Sequence, residues 1–184
     1  MNQHRTLRSL ILAALLGALT AIGAWLQIPV GITSITLQFL FTAFAGVLLG
    51  WKWGAVSQLL YVAIGLLGLP VFTQGGGIGY VLQPSFGFLL GLIPAAAVIG
   101  ALTARRTGYL TVLAAVLVGD LILYAVGVPY MYLILHVYMQ SAKTFPALLA
   151  AMLVYVPGDT LKIIVVTALA PVLRRTLAKA VPNL

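Results

Sequence analysis

The sequence predicts an all-α integral membrane protein, a bundle of six transmembrane helices with both termini on the cytoplasmic side. Three observations carry that prediction. Of 184 residues, 62% are hydrophobic and only 7% are charged, whereas soluble domains carry roughly 25% charged residues. Mean hydropathy is +1.15, and the apolar runs number about six, at lengths that suit bilayer crossings. The net charge of +8 comes from basic residues in the short gaps between those runs, where membrane topology puts them. A nucleic-acid-binding patch would need a soluble basic face, and no segment offers one. Cysteine is absent, which excludes disulfide frameworks, thiolate metal sites and redox motifs. The size fits a single membrane domain, residues 1–184, with no room for an extra soluble one.

Each element follows in order. His4, Arg5 and Arg8 precede an apolar run, in the outline of a signal peptide. The run continues to about Leu26, too long for a signal core, so it reads as a retained first span, Leu7 to Leu26. Ala14 and Ala18 lie on one stripe of this helix, and Ala13, Gly17 and Ala21 on the next. Small residues four apart let helices approach closely. Packing within the fold and docking of another membrane subunit both fit. Residues 27–35 (QIPVGITSI) form an uncharged loop. Span 2 runs from Thr36 to Leu49, and Trp51-Lys52-Trp53-Gly54 makes a tight turn with its indoles at headgroup level. Span 3 runs from Ala55 to Leu69, and Pro70 ends it.

Residues 71–85 (VFTQGGGIGYVLQPS) carry no charge. Gly75, Gly76, Gly77 and Gly79 permit positive φ and close backbone approach. A phosphate cradle would want a following Lys-Ser/Thr, and a dinucleotide site a preceding strand; both are missing. The glycines therefore mean a plain tight turn or a backbone surface folded against a ligand. Span 4 runs from Phe86 to Thr103, with a kink expected at Pro94, and Arg105-Arg106 close it. Span 5 starts near Thr111 and contains Asp120. Gly127-Val128-Pro129 marks a break before an aromatic stretch that includes Tyr130, Tyr132 and Tyr138. A short re-entrant or interfacial helix covers 147–154, and span 6 runs from Asp159 to Leu173. No inverted repeat is evident, which weighs against repeat-built secondary transporters.

Orientation follows from the basic residues. Arg5, Arg8, Lys52, Arg105, Arg106, Arg174, Arg175 and Lys179 fall on one side, and Lys143 alone on the other. The first side is therefore cytoplasmic. The loops at 27–35, 71–85 and 139–156 then face out, as does the start of span 6.

That start reads Pro157-Gly158-Asp159-Thr160-Leu161-Lys162, and Asp159 and Asp120 are the chain's two acidic residues. Pro157 and Gly158 suit a helix start, and positions three apart share a helix face. A pair of charges in so apolar a chain has two readings. In one, Asp159 caps the helix and Lys162 snorkels to the surface. In the other, the two hold a polar group of a small ligand: an ammonium near a helix N-terminus suits a carboxylate, and a carboxylate suits ligand N–H donors. Asp120, well inside its apolar run, pairs with a polar group across the bundle or is held neutral, and a structural role and a ligand contact both fit. Gln38, at the outer end of span 2, and Gln74 and Gln83, flanking the glycine stretch, can donate and accept and are further candidates. Gln58 reads as packing. No catalytic or metal-ligating residue is assigned, because His4 and His136 lack acidic neighbours at ligand spacing. No Walker motif is present. A small intramembrane enzyme using Asp120 and Asp159 as an acid/base or metal pair is the rival from another class, although their depths differ.

In order and spacing the stretches ITLQ (35–38), GVLLGWKWGAV (46–56), GLPVFTQGGGIGY (68–80), PSFGFLLG (84–91), GVPY (127–130) and PGDTLK (157–162) resemble the BioY family. Its members are the biotin-binding substrate-specificity subunits of energy-coupling-factor (ECF) transporters. The resemblance spans most of the chain, and the glycine stretch and the PGDxxK pattern are its specific parts. It implies a six-helix ECF S-component bundle in a bacterial or archaeal plasma membrane, with biotin bound near the outer face. It implies that Asp159 and Lys162 match the family's ligand-contacting acid and lysine. Biotin's rings would pack on aromatic and glycine-backbone surface, for which Gly76, Gly77 and Tyr80 are the candidates. Ala14 and Ala18 would match the docking stripe for a transmembrane energy-coupling subunit. ATP would be hydrolysed only by two partner ATPase subunits, and this chain would need no cofactor. A sister subunit for thiamine or riboflavin is the near alternative. The chain departs from the pattern at Gln83-Pro84-Ser85-Phe86-Gly87-Phe88, where many relatives carry Gly-Pro-Thr/Ser-Gly-Gly-Tyr.

Overall fold

The computed structural model describes residues 3–31 and 33–180; Met1, Asn2, Ile32 of the first loop and the last four residues lie outside them. The protein is mostly helical. Its elements are α1 (Gln3–Trp25), β1 (Gln27–Val30), β2 (Thr33–Thr36), α2 (Gln38–Leu66), α3 (Phe86–Leu102), α4 (Tyr109–Leu133), α5 (Phe145–Met152) and α6 (Val156–Ala180). A 3₁₀ turn at Ile78–Leu82 precedes α3, a π-helical turn at Ile134–Tyr138 extends α4, and a 3₁₀ turn at Leu153–Tyr155 joins α5 to α6. Among the described residues four helical stretches are long and apolar enough to cross a membrane: Thr6–Trp25, Gln38–Leu66, Tyr109–Tyr138 and Phe145–Lys179. Phe86–Leu102 is a shorter apolar helix.

The second stretch is two arms rather than one rod. Thr42 Oγ1 lies 2.9 Å from Gln58 Oε1, and Gln38 Nε2 donates to Tyr61 Oη at 2.7 Å. In a straight helix, residues 42 and 58 would stand roughly 24 Å apart. The chain reverses at Gly50, whose φ of 76° and ψ of −178° belong to a region essentially reserved for glycine. The turn expected over Trp51–Gly54 therefore sits one residue earlier. Trp51, Lys52 and Trp53 are already helical, because only the glycine can take the reversing conformation.

Four further expectations are corrected. Residues 27–36 form an antiparallel hairpin rather than an irregular loop, with Gln27 paired to Thr36 and Val30 to Thr33. β-Branched residues suit strands, and Gly31 turns the chain at φ 63°. No break occurs at Gly127–Pro129: α4 runs on to Leu133, since a proline is tolerated inside a membrane helix when neighbours re-satisfy the backbone. α6 begins at Val156, not Asp159, and the earlier helix ends at Leu66, before Gly68 at φ 107°, rather than at Pro70.

α1 packs on α2, α2 on α3, α3 on α4, and α6 closes against α4 and α2. At one end Arg174 Nη1 and Nη2 donate to the Thr103 and Ala104 carbonyls at 2.6 and 3.4 Å, holding the C-terminus of α3. The Gly50 turn packs against Gly100 at the same end. At the other end Trp25 Nε1 donates to Pro70 O (3.1 Å), Tyr130 Oη to Val81 O (2.6 Å) and Tyr155 Oη to Val30 O (2.5 Å). Gln58 is fully buried, bonded to Thr42, Thr20 and Ser57.

Gly50→Ala should lower stability by about 1–3 kcal/mol. Thermal unfolding of purified protein in detergent should read that as a melting temperature several degrees below wild type.

Candidate functional site

At the hairpin end a cleft of about 670 Å³, counting the space at its open mouth, lies between the elements. β2 contributes Thr33, Ser34, Ile35 and Thr36, and the start of α2 contributes Gln38 and Phe39. The glycine stretch contributes Thr73 and Tyr80, and the start of α3 contributes Ser85, Phe88, Leu89 and Leu92. Leu123 and Tyr124 of α4, then Met152 and Tyr155, then Asp159 and Lys162 of α6 complete the wall.

The charges sit where the first turns of α6 meet the hairpin. Gly158 is part of the cause. A Cβ there would come within 2.9 Å of Ile35 Cγ2, so the glycine lets β2 lie directly on the helix start. That contact brings the Thr36 carbonyl to 3.1 Å from Lys162 Nζ. Lys162 Nζ also lies 2.5 Å from Asp159 Oδ1, and Tyr124 Oη donates to Asp159 Oδ2 at 2.5 Å. Both charged residues are buried, at 6% and 8% exposure. Snorkelling of Lys162 to the surface is excluded by that burial.

A count of donors and acceptors defines what the site can still offer. An ammonium has three N–H donors; two are engaged, so one remains for a ligand. Each Asp159 oxygen accepts one bond and keeps a second lone pair. Gln38 accepts from Thr36 Oγ1 at 2.9 Å and donates one amide hydrogen to Tyr61, leaving the other. Tyr61 in turn donates to Val71 O at 3.1 Å, which ties the pocket to the entry of the glycine stretch. The arrangement presents donors and acceptors side by side on an apolar and aromatic wall.

Of the residues singled out from the sequence, Asp159, Lys162, Gln38 and Tyr80 line the cleft together. Gln74 and Gly76 are exposed, while Gly77 and Gln83 are half-buried, and none of the four lines it. The glycines act at one remove. Gly77 N donates to Gly65 O at 2.7 Å and Phe72 N to Gly75 O at 2.9 Å. This folded stretch seats Phe72 edge-on to Tyr61 and puts Tyr80 Oη 2.8 Å from Thr73 Oγ1. Asp120 also lies off the lining, and its Oδ1 is buried with no partner among the described residues. Sequence reading missed Tyr124, Tyr155 and the Thr36 carbonyl. Tyr124 left one signal: it follows Asp120 by four residues, on the same face of an otherwise apolar helix. On α1 the stripe of Ala13 and Gly17 is buried, with Gly17 against Ser57 O, and Ala14 and Ala18 are exposed.

These features define a helical membrane protein with a partly polar cleft at one end of the bundle. The BioY family model matches residues 1–179, and the chain belongs to the BioY family. It is 49% identical over 147 residues to a "Probable biotin transporter BioY" of Lysinibacillus sphaericus, covering 79% of this chain and 74% of that one. It is 36% identical over 186 residues to the "Biotin transporter BioY" of Rhodobacter capsulatus, covering 96% of both. The "Biotin transporter BioY" of Thermotoga maritima is 34% identical over 165 residues, covering 89% of this chain and 94% of that one. A crystal structure of the S-component for biotin from an ECF-type ABC transporter superimposes with a TM-score of 0.83 at 29% identity, covering 95% of each chain.

Removing one member of a buried ion pair costs about 3–5 kcal/mol, because the other charge is left uncompensated. Asp159→Asn should therefore melt below wild type, and Asp159→Asn with Lys162→Met should recover part of the loss.

Proposed function

We propose that this protein captures biotin and serves as the substrate-specificity subunit of an ECF-type transporter. The observation that carries the reading is the buried Asp159–Lys162 pair in the cleft. It sits in a chain whose relatives are named biotin transporters and whose fold matches a biotin S-component. A cyclic urea offers two N–H donors and one carbonyl acceptor, and a free carboxylate offers further acceptors. The cleft offers the complements: open lone pairs on Asp159, an unused N–H on Lys162 and one on Gln38. Biotin's apolar rings pack on Phe39, Phe88, Leu89 and Leu92, with Tyr80 at the glycine side. Gln74, Gly76, Gly77 and Gln83 serve this site by shaping the segment that carries Tyr80, and Asp120 acts beneath the cleft rather than on its wall.

In the membrane the chain is a single domain with six crossings. The two arms of α2 count as separate spans, beside α1, α3, α4 and α6. Lys52, Arg105, Arg106, Arg174, Arg175 and Lys179 then lie toward the cytoplasm with both termini, and the cleft opens outward. The bilayer is a bacterial or archaeal plasma membrane. Release inward needs a transmembrane energy-coupling subunit and two ATPase subunits. The exposed Ala14–Ala18 stripe supports α1 as the docking face, because small residues there let a partner helix approach closely.

Two measurements test the reading. Lys162→Ala should abolish labelled-biotin binding by the purified protein while it still elutes as a folded species; unchanged affinity would sink the site assignment. Ala14→Trp with Ala18→Trp should leave binding by the isolated protein intact and abolish uptake by cells that carry the complete transporter.

A further inference from the structure

We infer that Tyr124 is the positioning residue for the Asp159 carboxylate, fixing the direction from which ligand N–H donors are received. The inference rests on the reading of Asp159 as a ligand acceptor.

The helix alone does not fix that carboxylate. Asp159 and Lys162 are three apart on one face of α6, so the ammonium is free to take both carboxylate oxygens and close the pair on itself. The second donor comes from another helix. Tyr124, on α4, donates to Oδ2 at 2.5 Å while Oδ1 faces Lys162 at 2.5 Å. With each oxygen assigned to a different donor, the carboxylate plane is set, and its remaining lone pairs stay available to the cleft that Tyr124 also lines. No other tyrosine of the wall is engaged in this way. Tyr155 gives its hydroxyl to Val30 O, and that of Tyr80 is paired with Thr73.

The tyrosine is itself held. Its ring packs edge-on against Phe88, with centroids 5.9 Å apart and planes at 87°. Phe88 lies over Gly127, where a Cβ would come within 2.4 Å of a ring carbon. Gly127 admits Phe88, Phe88 buttresses Tyr124, and Tyr124 orients Asp159. This series links α3, α4 and α6 at the wall where a hydroxyl-free phenylalanine stands at position 88. A binding group keeps its productive geometry only when packing and supporting hydrogen bonds lock its rotamer.

The test is labelled-biotin binding to purified wild type, Tyr124→Phe, Asp159→Asn and the double variant, with thermal unfolding of each. Tyr124→Phe keeps the ring and its packing, so its melting temperature should stay within a few degrees of wild type. A hydrogen bond to a charged group predicts a Kd about 10- to 100-fold higher. In the Asp159→Asn background the same change should cost less than about 3-fold, because coupled residues are non-additive. Gly127→Ala is a second probe. It leaves every hydroxyl in place but displaces the Phe88 ring, which itself lines the cleft, so it should weaken binding in both backgrounds and by a larger factor in wild type than in Asp159→Asn. Tyr124→Phe binding within about 2-fold of wild type, alongside a weakened Asp159→Asn, would overturn the positioning role alone. Equal losses in both backgrounds would overturn it too, by showing that the hydroxyl acts elsewhere. Asp159→Asn binding like wild type would overturn the acceptor reading of Asp159 itself.

Discussion

A carboxylate and an ammonium set in an apolar bundle need further donors and acceptors besides each other. This constraint organises the cleft. A charge inside a membrane helix costs about 2.5–3.5 kcal/mol on insertion scales, and pairing alone does not satisfy two carboxylate oxygens and three ammonium hydrogens. Asp159 and Lys162 therefore draw a hydroxyl from α4 and a carbonyl from β2. Three of the elements that make the cleft, α4, α6 and β2, are those that the ion pair draws on.

The hairpin is the clearest case. Its strands are short, and a two-stranded ribbon is marginal by itself. Here it rests on the Gly158 turn of α6, lends the Thr36 carbonyl to Lys162 and receives the Tyr155 hydroxyl at Val30. Gln27 Nε2 also donates to Thr73 O at 2.9 Å, joining the hairpin to the glycine stretch. A run of aromatic contacts, Tyr61–Phe72–Tyr80–Phe86–Tyr130, carries that stretch across to α3 and α4. Below, Thr42, Gln58 and Thr20 continue the polar contacts from Gln38 into α1. The cleft is thus continuous with the helix whose Ala14–Ala18 stripe is exposed.

Much of this was legible because charge is scarce in the chain. Two acidic residues stand out against so apolar a background, and the three-residue spacing to Lys162 puts both partners on one face whatever the rest of the fold does. Long apolar runs mark helices for the same reason. Tyr124 was not legible, because a tyrosine among apolar residues reads as an interfacial or packing side chain until its hydroxyl has a partner. The reversal at Gly50 was displaced by one residue in the reading, since tryptophans and a lysine advertise an interface while the glycine beside them does the turning. The glycine stretch reads from sequence as either a tight turn or a backbone surface against a ligand. That its glycines shape the loop and leave the lining to Thr73 and Tyr80 depends on where Gly65 and Phe72 lie.

By itself the sequence determined the class of molecule, the helical runs and the charged pair, because hydropathy, charge scarcity and helical period are local properties. Tertiary structure decided what the pair bonds to, which small-residue stripe of α1 is buried, and which of the candidate polar residues share a wall. Those outcomes depend on contacts such as Tyr124 with Asp159, 35 residues apart, and Thr36 with Lys162, 126 apart. No local pattern encodes such contacts, because each partner is chosen by how the helices pack.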